Sequence, residues 1–172
     1  MEDLLPPLTE HGATFEPPRV RQFTIFLENK VGRLQNLIRC LEEGVGRIVA
    51  LSVEESGDAT LVRLICGHSA FGRELLRTAN IPFAEAELLA VELPKRTRQP
   101  LVSICSALLA AEINIHYAYP LLNHNGHPAM ALYVDDPTLA AELLIRKNFT
   151  LLAESDLNQQ PPEEEEPPTP MY

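Results

Sequence analysis

Hydrophobic and polar residues between positions 22 and 44 predict a strand that runs into a helix through a short turn. Phe23, Ile25 and Leu27 recur at every second position, which is the period of a strand with one buried face. After position 32 the period changes to that of an amphipathic helix. Its apolar stripe consists of Leu34, Leu37, Ile38 and Leu41. The rest of the chain is organised around this unit.

The same patterns continue through the first half of the chain and then repeat. Two strands flank the turn signal at 56–58, a short helix follows Ser69, and residues 83–93 form an extended apolar run. A second series of helix, two strands, helix and strand occupies 100–153, and matching residues such as Leu34 and Leu101 lie about 67 positions apart. We therefore predict an α+β fold of two tandem ferredoxin-like βαββαβ units, with antiparallel sheets, helices on one face, and residues 88–93 opening the second unit.

This pattern divides the chain into four parts. Residues 1–20 are expected to form a flexible arm, 21–87 the first domain and 88–157 the second. Residues 158–172 contain five prolines and four consecutive glutamates, a composition typical of a disordered acidic tail.

Charge and composition narrow the classes of function. Much of the net charge of −10 comes from the two ends, since residues 22–157 carry 16 acidic and 12 basic side chains. Nucleic-acid binding is not expected without a basic surface. With neither a membrane-spanning run nor a secretory signal, a cytoplasmic location is expected. The three cysteines fit neither a disulfide framework nor a zinc pattern, and Cys40, Cys66 and Cys105 are expected in the core.

The sequence contains no GxSxG, Walker or HExxH motif, so we expect neither an enzyme nor a cofactor. His116 and His127 could approach each other across a hairpin as metal ligands, or serve only as polar hairpin residues. A basic turn at 95–98 could hold an anion at the start of the next helix, or be a solvated loop.

The turn at 29–32 is the strongest candidate for a binding site. A strand that feeds a helix through a tight turn directs several backbone N–H groups to one place, and Gly32 allows close approach. The alternative is that Asn29 only caps the helix and Gly32 only relieves the turn.

The segment FLENKVGRL resembles the turn of the ACT domain family of regulatory modules that bind amino acids, with Val31 where proline is usual. The resemblance extends over 22–156 in the tandem form of small bacterial proteins. It implies that the two domains join side by side in one eight-stranded sheet. It also implies that an effector lies between the first turn of one domain and the second strand of its neighbour. Asn29 and Gly32 match the turn, and Asn114 matches the strand asparagine.

Only one of the two sites implied by this resemblance keeps both halves. The first repeat lacks the asparagine at its second strand, and the second repeat lacks every glycine of its turn. We therefore predict one ligand site per chain, in which the turn of the first repeat faces the strand of the second. Its residues are Asn29, Lys30, Val31, Gly32, Asn114 and Ile115.

The predicted function is that of a regulatory protein, expected to be a homodimer, that binds a small amino acid between its repeats. The alternative is a non-sensing subunit that docks on a biosynthetic enzyme such as acetolactate synthase. The sheet face away from the helices is expected to carry Arg63 and Glu92 and to meet solvent or a partner, and a second chain could stack there near Phe26, Val62 or Ala90.

Overall fold

The structure is a computed structural model that describes residues 16–44, 46–95, 98–122 and 127–158. The predicted tail lies outside the described residues except for Asn158, and so does most of the predicted arm. The elements, in chain order, are β1 (Val20–Glu28), α1 (Arg33–Glu42), β2 (Ile48–Ser56), β3 (Ala59–Cys66), α2 (Ser69–Thr78), β4 (Phe83–Glu92), α3 (Pro100–Leu109), β5 (Ile115–Pro120), β6 (Ala129–Val134), α4 (Pro137–Arg146), β7 (Leu151–Leu152) and α5 (Glu154–Leu157).

This order confirms the two βαββαβ repeats and the α+β class. The first repeat has the strand order β2-β3-β1-β4, and the second has β5-β6-β4-β7, all antiparallel. The long strand β4 belongs to both repeats. Its first half pairs with β1 from Phe83 to Leu88, and its second half pairs with β6 from Leu89 to Glu92. The predicted domain boundary at 87/88 therefore falls inside one continuous strand.

The sheet differs from the expected eight-stranded, side-by-side arrangement. It has seven strands because β4 serves both repeats, and its first and last strands meet. Ala50 of β2 forms a bridge with Leu121, just after β5, and the Leu122 N–H donates to the Val49 oxygen at 2.8 Å. The sheet thus curls toward a barrel, with the helices of both repeats on its outside.

Each repeat packs its helices on the outer face of its own strands. In the first repeat, Leu37 and Leu41 of α1 and Leu76 of α2 cover Phe23 and Ile25 of β1. In the second repeat, α3 and α4 cover the outer face of β4 and β6. These two clusters follow from the helical and strand periods of the sequence.

A third cluster fills the space between the inner faces of the two repeats. It draws Val20, Ala50, Ile65 and Leu88 from the first repeat, and Tyr119, Ala131 and Leu152 from the second. The expectation that the open faces would receive a second chain is wrong for most of this surface, because each repeat covers the other. Ala90 is buried in the cluster, Val62 lies in the helix-facing core, and Phe26 is 64% exposed.

A buried glutamine links the two inner faces. Gln22 of β1 is fully buried; its amide nitrogen donates to the Tyr117 and Thr24 hydroxyls, each at 2.9 Å. Its amide oxygen accepts from the Tyr119 hydroxyl at 2.8 Å. Burial raises the pKa of Tyr119, so this hydroxyl stays a donor at physiological pH.

Acidic side chains make further links near the shared strand. Glu154 of α5 accepts from the Arg21 backbone N–H at 3.0 Å and from the Ser69 hydroxyl at 2.8 Å. Glu85 of β4 accepts two hydrogen bonds from Arg73 of α2, and Arg73 lowers the pKa of this carboxyl. These hydrogen bonds join α5 to β1 and α2, and they join α2 to β4.

We expect Tyr119→Phe to lower the free energy of unfolding by about 1–3 kcal/mol, because the buried Gln22 oxygen loses its donor. Tyr133→Phe makes the same chemical change on a ring that is 36% exposed, and should cost less than about 0.5 kcal/mol. Urea unfolding of the two variants and the wild type measures both values. Equal losses would contradict the role given to the Gln22 bonds.

Candidate functional site

The turn between β1 and α1 leaves the start of the helix open. Gly32 stands at the N-cap in the left-handed conformation, with φ of 86°, and no side chain caps the helix. A Cβ on Gly32 would meet nothing within 4 Å, so the backbone angle, not crowding, requires glycine here. The first N–H groups of a helix without a side-chain cap can bind an anionic group.

Asn29 does not cap this helix. Its side-chain nitrogen donates to Glu55 at 3.2 Å, and its backbone N–H donates to the Asp58 oxygen at 3.3 Å. Both partners belong to the β2–β3 hairpin, which lies beside the turn. The capping alternative for Asn29 is therefore wrong, and its amide is held at the surface next to the hairpin.

The other turn residues are exposed and differ in character. Glu28 contacts Lys30 at 2.8 Å and Arg33 at 3.1 Å, and these two cations lower the pKa of its carboxyl. Pairs as exposed as these contribute little to stability. Val31 is fully exposed at the tip of the turn. The turn therefore presents backbone donors, a cation and an apolar side chain to solvent.

The second half of the predicted site lies at the start of β5. Asn114 is exposed; its backbone N–H donates to the Asp135 carboxylate at 3.1 Å, and its side-chain nitrogen lies 3.4 Å from Nδ1 of His116. Ile115 is half-buried and packs against the helix-facing core of the second repeat. Asn114 is thus tied to β6 and leaves much of its amide accessible.

Strands β2 and β5 approach each other in an orientation that is relevant to both halves. The two strands meet in an antiparallel bridge between Ala50 and Leu121. Because antiparallel strands run in opposite directions, the end of β2 and the start of β5 lie toward the same end of this contact. The end of β2 belongs to the hairpin that holds Asn29. We call the boundary between β2 and β5 the seam.

The seam is hydrogen-bonded only at one end in the described part of the chain. Beyond the contact at Ala50, neither strand pairs with the other. The hydrogen bonds of Asn29 all stay within the first repeat, and those of Asn114 within the second. Asn29 and Asn114 therefore each bond within their own repeat.

An arginine and tyrosines line this seam. The Arg63 guanidinium carbon lies 4.3 Å from the centre of the Tyr117 ring, and Arg63 also pairs with Glu54 at 2.5 Å. Tyr117 stacks on Tyr133 with ring centres 5.0 Å apart.

The sequence marked Arg63 as an unusual strand charge but did not indicate Glu54, Glu55 or Asp58 beside the site. The turn signal at 56–58 was visible, yet only the fold shows that this hairpin returns to Asn29.

The candidate histidines and cysteines form no metal-binding cluster in the described part of the chain. His127 pairs with Glu92 at 2.7 Å, and no three metal-ligating side chains cluster within 16–44, 46–95, 98–122 and 127–158. Cys66 is buried as expected, and burial raises the pKa of its thiol to about 12. Cys105 is exposed, so its expected core position is wrong. No helix among the described residues is long and apolar enough to cross a membrane.

Part of the basic turn before α3 is described. Lys95 and Arg98 are exposed, while Arg96 lies outside the described residues, and Gln99 at the N-cap provides no side-chain cap. In the first repeat, the segment predicted to open the second strand begins at Val45, which also lies outside the described residues. The next residue, Gly46, is buried.

Because Asn29 caps no helix, we expect Asn29→Ala to change the free energy of unfolding by less than about 0.5 kcal/mol. Asp136 is the matched comparison, since its side chain does cap α4 by accepting from the Leu139 N–H at 2.9 Å. Asp136→Ala should cost about 1 kcal/mol. Chemical denaturation distinguishes the two, and a loss at Asn29 as large as that at Asp136 would contradict the assignment.

Comparisons with known proteins agree with this architecture. A family model described as an ACT domain pair matches residues 19–160. The structure of protein BT0572 from Bacteroides thetaiotaomicron is similar, with a TM-score of 0.75 and 25% identity over 84% of this chain and 99% of that chain. The comparison with curated proteins found no match.

Two more distant structures share the fold. The ligand-free regulatory subunit of aspartate kinase from Thermus thermophilus has a TM-score of 0.53 and 10% identity, over 76% of this chain and 93% of that chain. A structure of aspartokinase alpha and beta subunits has a TM-score of 0.50 and 14% identity, over the same 76% and 93%. These similarities concern the fold alone.

Proposed function

The chain belongs to the family of ACT domain pairs, and from this premise we propose that it is a regulatory protein that binds one free amino acid across the seam. The observation that supports the proposal is the antiparallel contact of β2 with β5, which sets the end of β2, beside the hairpin that holds Asn29, and the start of β5 toward the same end of the seam. The site consists of Asn29, Lys30, Val31, Gly32, Asn114 and Ile115.

The chemistry of the seam suits a zwitterion. The ligand carboxylate would accept from the N–H groups at the open start of α1, close to the Lys30 ammonium. The ligand ammonium would donate to the amide oxygens of Asn29 and Asn114, near the Glu55 carboxylate. The first repeat would thus provide partners for both charges of the ligand, and Asn114 would add a contact from the second repeat.

Regulation would follow from where the ligand binds. In the described part of the chain no hydrogen bond joins the two repeats at this end of the seam, so a ligand that contacts both would favour the arrangement in which β2 and β5 come closer. The free energy of binding would then be coupled to the relative position of the repeats. An enzyme or other partner that recognises one arrangement would respond to the amino acid.

A thermal-shift screen of the full chain against the twenty amino acids at millimolar concentration tests the proposal. A ligand present at 100 times its Kd adds about 2.7 kcal/mol to stability, which is several degrees for domains of this size. Asn29→Ala and Asn114→Ala should each abolish the shift. Asn36→Ala is the matched control, because Asn36 is an exposed amide further along α1.

Titration calorimetry with the selected amino acid should give one site per chain. Two equal sites would contradict the assignment of the site, because the second repeat lacks the glycine turn. A screen without any shift, together with co-purification of a biosynthetic enzyme, would instead favour the non-sensing docking subunit.

A further inference from the structure

The outer face of α3 is apolar where a surface helix would normally be polar. Ile104, Ala107 and Leu108 face the core, and no charged residue occurs between positions 100 and 111. On the opposite side, Val102 is 57% exposed and Leu109 is 76% exposed. The sequence placed Cys105 in the core, but it is exposed, and so is Leu101, which widens this apolar surface.

The first repeat provides an internal reference for this position in the fold. Helix α1 has the same ten-residue length and lies at the equivalent place in its own repeat. Where α3 has the exposed Val102 and Leu109, α1 has Gln35 and Glu42, whereas α1 is also apolar at the positions of Leu101 and Cys105. The fold therefore does not require apolar residues at Val102 and Leu109, and their exposure on one repeat alone points to a contact.

A groove runs beside the apolar residues. Its volume is about 640 Å³, and small side chains of α3 form one wall, with the end of α4 opposite. Its lining includes Ser103, Ser106, Ala107, Lys147 and Phe149. Leu109 protrudes from the C-terminal end of the same helix. One surface thus carries both a projecting side chain and a depression.

The charges around this surface are separated by sign. Exposed Lys95, Arg98, Arg146 and Lys147 lie at the end of the surface where α3 begins and α4 ends. The opposite end carries exposed Glu112, Asp135 and Asp136, where α3 ends and α4 begins. A two-fold rotation places the basic end of one such surface on the acidic end of another, so the surface is complementary to itself.

We propose that this surface, which we call the α3 face, is the interface between two copies of the chain. The two α3 helices lie antiparallel, Leu109 of each copy enters the groove of the other, and the charged ends meet. A second copy is the occupant that satisfies the apolar centre, the groove and the separated charges together. The inner sheet faces are already filled within each chain, so they do not offer this contact.

Sedimentation velocity of the full chain over about 1–100 μM, without added ligand, tests the proposal. We expect a wild-type dimer, and Leu109→Glu should weaken dimerisation by at least about thirtyfold. Gln35→Glu introduces the same charge on the exposed face of α1 and should leave dimerisation unchanged. Because both side chains are exposed, circular dichroism and thermal unfolding should show that both variants fold.

A charge-reversal series tests the antiparallel orientation. Lys147→Glu should weaken the dimer, and the additional change Glu112→Lys in the same chain should restore it, since both ends are then reversed together. A wild-type monomer at the highest concentration, or a Leu109→Glu variant that still dimerises, would overturn the proposed interface. A double variant that dimerised no more strongly than Lys147→Glu alone would overturn the proposed antiparallel orientation.

Discussion

The buried amide of Gln22 is the interaction on which the arrangement of the two repeats depends. It lies between the inner faces and bonds to two tyrosines of β5 and to Thr24. A buried amide that loses its partners costs more free energy than a comparable apolar contact. Sliding or rotating one repeat against the other would break these bonds, whereas apolar contacts alone would tolerate several arrangements. The described residues contain no buried side-chain nitrogen or oxygen without a partner, so this polar link lies in a fully satisfied core.

Because the inner faces of the two repeats cover each other, only the other surfaces of the protein are accessible to a ligand or partner. In a single βαββαβ unit the sheet has one covered face and one open face. Here the shared strand β4 brings the open faces together, so binding is left to strand edges, turns and helices. Among the described residues, the seam between β2 and β5 is hydrogen-bonded at one end only. Under the proposed function, a ligand at the other end would act on the position of one repeat relative to the other.

The two repeats have kept the same fold and diverged in their surfaces. The first retains the glycine turn and a polar outer helix, while the second retains the strand asparagine and carries an apolar outer helix. This comparison within one chain separates what the fold requires from what a contact requires. Equivalent positions such as Glu42 and Leu109 have the same place in their helices, so the fold of the repeat does not by itself require leucine at position 109.

The sequence by itself determined most of the helices and strands, their order and the tandem repeat, because helical and strand periods are local properties of the chain. It also identified Gly32 and Asn29 as the exposed turn. Only the tertiary structure decided that the inner faces cover each other, that Asn29 bonds to Glu55 instead of capping α1, and that Cys105 and Leu101 point outward. Which side of an apolar helix meets the core depends on contacts between residues far apart in sequence, and α3 carries apolar residues on both sides. Likewise, the curl that brings β2 to β5 follows from the junction within β4, which no local pattern records.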